Sequence, residues 1–502
     1  MVESRPDRRR ALMKILIASS EVVPYSKTGG LADMVGALAK FLARAGHTVG
    51  VVTPLYGGLR EKWAGLRLLD WKLELPLGPA RVAGKIWTLE PSPGLTIYFV
   101  EQKEFFERGD LYQERGFDYP DNAERFIFFS KCVAHLARYL PWQPEVVHLH
   151  DWQTALAALL VLDQKSRDGW TGAPQVCLTI HNLAYQGNFA AAKFALTNLP
   201  GTYFQPEGVE FYGFMNCLKA GICYADQITT VSPRYAREIT TEALGSGLDG
   251  VLRRRQDVLV GILNGVDYDE WKTEGNPYLP CSYNIAQMSG KQADKAALQR
   301  EFGLPEAPDI PLFGTVTRLA EQKGVDLQLA ALQEMLAGEM QFVLLGSGQR
   351  EYERGYRRLA ERYPSKCAVQ IGFDASLSHR LEAGCDFYLM PSRFEPCGLN
   401  QMYSLRYGTI PVVRLTGGLD DSVTDISEDA EKADGIKFAE CSVRALSKAI
   451  RKALAIYADK PLLLHYQRNG MARDFSWETT VAAYAALYQR ILGRRSVPVK
   501  KD

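Results

Sequence analysis

Cysteine is scarce and unpatterned in this chain: nine residues, an odd number, with no C-x-x-C spacing. That excludes a disulfide framework and a structural zinc site and makes a reducing cytoplasm the simplest home. Excess charge of either sign is lacking too. Lys plus Arg is 59 and Asp plus Glu is 58, a net charge of +1, so no whole-molecule field would hold a nucleic acid. Any anionic ligand must be gripped locally. Long apolar runs are missing: the longest, Ala155 to Leu162, stops at Asp163, far short of the roughly 20 residues a membrane helix needs. No membrane span is expected. The first residues, Met1 to Leu12 with Arg8, Arg9 and Arg10, are basic but lead into no apolar signal-peptide core. Residues 1–12 are expected to form a disordered basic extension and 494–502 a flexible tail.

What is present is an ordinary globular composition, 46% apolar and 23% charged over 502 residues. At about 150 residues per domain, two or three domains fit.

Lys14 to Ser20 is a short apolar run followed by a turn with Pro24 and Gly29-Gly30. Leu31, Met34, Val35, Leu38 and Leu42 then fall on one stripe of a helix. Val49 to Thr53 reads as the next strand, so the start is βαβ and the sheet is parallel. Further strands, Val146–Leu149 and Val176–Ile180, run into His150-Asp151-Trp152 and His181-Asn182. Ligands in open parallel sheets sit beyond the carboxyl ends of strands, which puts these polar residues at a candidate crevice. Singly, each reads as well as a turn or cap residue.

Familiar nucleotide motifs fail. Gly245 to Gly250 matches G-x-G-x-x-G, but it follows a helix-like stretch, Arg237 to Leu244, where the dinucleotide fingerprint needs a strand. Lys27 precedes its glycines where a Walker motif has it following. Instead Thr28 to Val35 recurs as Thr416 to Val423 with six of eight positions identical. Paired glycines at a helix start let a backbone approach an anion, so one such site per half suggests one ligand shared by both.

Leu263 to Asp267 marks a boundary, and a second doubly wound unit follows with strands at 312–316, 342–345, 369–371 and 387–390. Arg318 and Lys323 stand just after the first of these, where a guanidinium fork and a compact ammonium suit one diphosphate. Glu395 stands just past the fourth, placed for hydroxyl recognition or catalysis.

Taken together, Lys27 to Asp33, His150-Asp151-Trp152, His181 to Gly187, Ile262 to Asp267, Arg318 with Lys323, Ser392 to Leu399 and Thr416 to Leu419 resemble the bacterial and plant glycogen/starch synthases. They occur in family order from Met13 to about Leu492. The resemblance implies an α/β, GT-B architecture, two Rossmann-like doubly wound domains facing across a deep cleft. The expected domains are 13–260, completed by a crossover helix at 475–493, and 261–474. It implies transfer of glucose from ADP-glucose to the non-reducing 4-hydroxyl of an α-1,4-glucan (glycogen), with retention, no cofactor and no metal.

By the same resemblance Lys27 and the amides of Gly29 and Gly30 meet the donor phosphates, as do Arg318 and Lys323. Glu395 sits at the donor glucose, with amides of Cys397, Gly398, Leu399, Gly417 and Gly418 and residue Thr416 nearby. His181 and Asp151 line the sugar and acceptor side, Asn264 lies near the donor, Phe373 stacks on adenine, and Tyr112 is a looser sugar contact. Glu395, Arg318, Lys323 and His181 are the expected catalytic group. Two departures stand out. Many retaining nucleotide-sugar transferases outside this family carry a second glutamate eight residues after the first, where this chain has Tyr403, which favours the glycogen synthase branch, and Asp420 adds a carboxylate beside the second glycine pair. A donor such as UDP-glucose, a non-catalytic glucan-binding scaffold and a homo-oligomer stay open at this level.

Overall fold

A computed structural model describes residues 12–495. The extension expected at 1–12 and the tail expected at 494–502 therefore fall almost wholly outside the described residues. No helix among the described residues is long and apolar enough to cross a membrane.

The chain divides into two compact units. The first takes the described residues up to Thr230, then Glu238–Ile262, then those from Val481 on. Its main sheet runs Leu259–Gly261, Gln227–Thr230, Gln175–Ile180, Val146–His150, Lys14–Ala18, Thr48–Pro54 and Leu95–Glu101, all parallel. An antiparallel edge, Ala80–Ser92 and Arg67–Leu68, extends it. The central strands are buried on both faces, which is why they read as unbroken apolar runs. Helix Gly30–Arg44 buries Met34, Val35, Leu38 and Leu42, the stripe its spacing predicts.

Sequence order reverses between Lys14–Ala18 and Val146–His150, and such a switch point opens a crevice at the carboxyl ends of the flanking strands. The glycine loop leaves one of these strands and His150-Asp151-Trp152 ends the other.

The second unit, Val231–Arg237 with Leu263–Thr480, has six parallel strands. Their order is Cys367–Ile371, Gln341–Gly348, Leu312–Leu319, Phe387–Met390, Ile410–Arg414 and Ile436–Phe438. This is the 3-2-1-4-5-6 order of dinucleotide-binding folds, with its switch between Leu312–Leu319 and Phe387–Met390. Arg318 and Ser392 to Leu399 stand at the carboxyl ends of those two strands.

The division differs in detail from the expected boundaries. Gly261 closes a strand that pairs with Gln227–Thr230, so the first unit runs to Ile262. Val231–Arg237 belongs to the second unit, because Val231 packs with Trp271, Cys397 and Tyr407 and the Arg234 amide donates to Asp421. The last helix, Trp477–Arg495, changes units along its length. Thr480 donates to the Leu263 carbonyl, whereas Tyr488 bonds His148. The helix-like reading of Arg237 to Leu244 is corrected: helix Pro233–Glu238 ends there and turns follow.

Candidate active site

In the first unit, Asp151 follows strand Val146–His150 with φ 55° and ψ −174°, a conformation non-glycine residues rarely adopt. Its carboxylate leaves the helix it precedes uncapped and accepts the His181 amide at 2.7 Å. Burial lifts the Asp151 carboxyl to about 7, against the opposing pull of the His181 and Asn182 amides. Asp151 therefore fixes the backbone that carries His181.

The His181 ring meets a second imidazole, with Nε2 2.9 Å from His150 Nδ1. Burial pushes the His181 ring down to about 3 and the His150 ring well below its usual value, so both are neutral. Gly187 closes this segment against Trp152: at φ +64°, a Cβ there would stand 2.3 Å from the indole.

The glycine loop holds a residue that sequence reasoning missed. Glu21, buried, accepts from the Thr28 amide, from the Thr28 hydroxyl at 2.6 Å, from the Gly29 amide at 3.3 Å and from the Tyr112 hydroxyl at 2.6 Å. Tyr112 also bonds Ser20 at 2.7 Å. Its loop is tied down by buried Arg125 on the Leu111 carbonyl and by Asn122 on the Tyr112 carbonyl. The Gly29 amide expected to meet phosphate thus has an internal carboxylate partner. Gly30 opens the helix, and Lys27 pairs with Asp33 at 2.7 Å on the surface. Exposed pairs of this kind are worth only about 0–1 kcal/mol, so Lys27 exchanges partners at little cost.

In the second unit, Lys323 Nζ lies 2.6 Å from Glu395 Oε2, and Ser392 donates to the same oxygen at 3.0 Å. Arg318 is exposed, and no described acid pairs with its guanidinium.

The segment after Glu395 packs on the second glycine pair. A Cβ on Gly417, at φ +46°, would lie 2.0 Å from the Glu395 carbonyl, and one on Gly418 2.0 Å from that of Cys397. The Gly418 amide donates to the Glu395 carbonyl at 3.1 Å. These glycines are required by the protein's own backbone, and Gly418 lends its amide to the Glu395 segment. Thr416 precedes them, buried.

Burial pushes the Cys397 thiol up to about 12, and the Asn264 backbone bonds to it. The Asn264 carboxamide Oδ1 is buried and has no hydrogen-bond partner among the described residues. Gly398 and Leu399 lead into helix Asn400–Arg406. There Asn400 and Ser404 bond Glu382, another residue missed from sequence, whose carboxyl burial lifts to about 8. Phe373 is 76% exposed, with no described ring stacked on it.

Both departures have structural reasons. Tyr403 stacks on Trp271 at 3.5 Å, continuing through His379 to Tyr278. The ring at this position is thus a member of an aromatic stack. Asp420 bonds Lys437 at 2.8 Å and Arg234 at 3.2 Å, so two cations offset the charge beside the glycines.

Residues 14–254 match the starch synthase catalytic domain and residues 298–470 the glycosyl transferases group 1 domain. The glycogen synthase of Anaeromyxobacter sp. (strain Fw109-5) is 48% identical over 95% of this chain and 99% of that protein. That of Opitutus terrae is 44% identical over 96% of this chain and all of its own. Among solved structures, the catalytic domain of starch synthase IV from Arabidopsis thaliana, bound to ADP and acarbose, superposes with TM-score 0.87 at 33% identity, covering 96% of this chain and 100% of that one. A sucrose-phosphate synthase from Thermosynechococcus elongatus, at 18% identity and TM-score 0.61 over 96% of this chain and 99% of its own, shares the fold. Fold and matches together define a glycosyltransferase of the GT-B class. Within that class, the chain belongs to the glycogen/starch synthase family.

Proposed function

We propose that the protein transfers glucose from ADP-glucose to the non-reducing 4-hydroxyl of an α-1,4-glucan with retention of configuration, the chain-extending step of glycogen synthesis. The observation that carries this reading is the pair of cations at the switch point of the second unit: an exposed Arg318 that pairs with no described acid, and Lys323 held on Glu395. Departure of ADP concentrates negative charge on a diphosphate, and prepositioned cations stabilise it most as the bond breaks. Arg318 and Lys323 take that role, and Glu395 stabilises the positive charge growing on the donor sugar.

A retaining reaction usually calls for a carboxylate nucleophile. Here the incoming hydroxyl approaches the face the diphosphate leaves, and the diphosphate takes its proton. In the first unit His181, oriented by Asp151, serves the sugar and acceptor side, while Tyr112 is a sugar contact and Lys27 reaches the donor phosphates. Asn264 offers its unpartnered Oδ1 to the donor, and Phe373 offers its exposed ring to adenine. ADP bound by the Arabidopsis relative supports an adenine nucleotide. The nine unpaired cysteines are consistent with a reducing, cytoplasmic setting.

Purified protein supplied with glycogen and radiolabelled ADP-glucose or UDP-glucose tests the reading. ADP-glucose is expected to label the polymer faster, with activity surviving EDTA. Preference for UDP-glucose, or a strict need for added magnesium, would overturn that part of the proposal. No turnover with any donor would favour the glucan-binding scaffold.

A further inference from the structure

His150 and His181 sit on adjacent strand ends with Nδ1 of the first 2.9 Å from Nε2 of the second. A contact this short between two neutral imidazoles contains one hydrogen, and two assignments are available. If His181 donates from Nε2, then His150 accepts on Nδ1 and must carry its own proton on Nε2. That nitrogen is buried, and no described residue bonds to it. A buried N–H with no acceptor is among the rarest defects in folded proteins, whereas an unfilled lone pair is less costly. The other assignment leaves only the lone pair: His150 donates from Nδ1, its Nε2 is bare, and His181 accepts on Nε2.

His181 must then carry its proton on Nδ1, where no described residue bonds it. We infer that His150 is a positioning residue, which locks His181 in the Nδ1–H tautomer and so makes it a fixed neutral hydrogen-bond donor toward substrate oxygen. The part concerning substrate rests on the function proposed above; the tautomer does not.

The surroundings suit a fixed orientation. His148 lies 4.2 Å from the His150 ring, centroid to centroid, and is itself held from both nitrogens, by Thr179 at 2.6 Å and Tyr488 at 2.8 Å. With His148 so anchored, His150 has a wall on one face and His181 at its edge. A ring kept neutral and held this way donates without exchanging its proton, so His181 contributes geometry and polarity and no acid-base step.

The test reads the tautomer directly, by nitrogen-15 NMR of the imidazoles in the full-length protein. The wild type is expected to show His181 protonated on Nδ1 and bare on Nε2. In His150→Asn the carboxamide nitrogen can occupy the place of Nδ1 and keep the donor, so the His181 pattern should persist with part of the activity. In His150→Phe the donor is gone, and His181 should become a tautomer mixture. There kcat with ADP-glucose should fall about tenfold or more, with KM for the donor changed less than threefold. A wild-type His181 carrying its proton on Nε2 overturns the inference, as does His150→Phe with an unchanged His181 spectrum and unchanged kcat. Should His150→Phe fail to fold, the wild-type spectrum and His150→Asn still decide the question. Should the wild type lack glucosyl transfer, the proposed function falls while the tautomer reading is judged on its spectrum.

Discussion

Lys323 Nζ lies 2.6 Å from Glu395 Oε2, and the carboxylate is nearly enclosed, while Arg318 is exposed and pairs with no described acid. Two residues with separate expected jobs, one at the diphosphate and one at the sugar, are thus one electrostatic unit within the second domain. The Arg318 guanidinium stands outside that pair.

This separates two variants. Removing Lys323 leaves a buried carboxylate with Ser392 as its remaining side-chain partner, and breaking a buried pair costs about 3 kcal/mol or more. Partial exposure of the lysine reduces that to roughly 1–3 kcal/mol. Lys323→Ala should therefore lose both turnover and stability. Arg318→Ala should leave the urea midpoint unchanged while kcat drops about 100-fold, the scale of losing one transition-state donor. Near-normal turnover in Arg318→Ala would remove the diphosphate role assigned to it.

Glu21 accepts four donors from Thr28, Gly29 and Tyr112. Truncation strands those donors around a buried vacancy, and each unsatisfied polar group costs about 1–3 kcal/mol unless water reaches it. Glu21→Ala should be destabilised by about 2–4 kcal/mol in urea unfolding, and Tyr112→Phe, which removes one hydroxyl, by about 1 kcal/mol. If Glu21→Ala unfolds at the wild-type urea concentration, the carboxylate does not hold the loop.

The parts legible from sequence were those where one local pattern fixes the outcome. Apolar runs ending in polar residues located Val146–His150, Gln175–Ile180 and Phe387–Met390, because strands buried on both faces must be apolar and must stop at the crevice. Glu21 escaped notice because one acid beyond a strand has no period; its role exists only once the loop returns Thr28 and Gly29 to it. Gly417 and Gly418 were recognised as special for an incomplete reason, since the backbone they admit at such close range belongs to Glu395 and Cys397. Val231–Arg237 joins the second unit through contacts with Trp271 and Asp421, which are remote in sequence and beyond any window of periodicity.

On the proposed function, a bare carboxylate at Asp420 beside the second glycine pair would weaken binding of an anionic donor, but Lys437 and Arg234 already offset this one. Asp420→Ala should leave KM for ADP-glucose unchanged within about twofold and cost about 1–2 kcal/mol, because Lys437 is buried and, among the described residues, keeps only Glu428 and a backbone carbonyl. A clearly lower KM would mean that the carboxylate does repel the donor.

Asp151 makes stability depend on pH with an identifiable sign. Its carboxyl titrates near 7 in the folded protein, lifted by burial from 3.8. Between those values the folded state binds a proton that the unfolded state has released, so this group's contribution falls as pH rises and levels off above 7. His148, His150 and His181 work the other way: burial drops the His148 and His181 rings from 6.5 to about 3 and the His150 ring well below its usual value, so the unfolded state binds these protons first and stability rises with pH across that window. The histidine slopes oppose the Asp151 slope in the wild type, and a difference between variants is needed to isolate it. Asp151→Asn keeps an oxygen for the His181 amide but has no proton to bind. Its stability relative to wild type should therefore improve from pH 4 to pH 7 by about 3–4 kcal/mol, because one proton bound only in the folded state is worth roughly 1.4 kcal/mol per pH unit. Urea unfolding of both proteins at pH 4.5, 6 and 7.5 measures this gap. A constant gap would mean that the Asp151 carboxyl is already ionised at pH 4.5 in the folded protein, with the buried, strained turn paying for a charge.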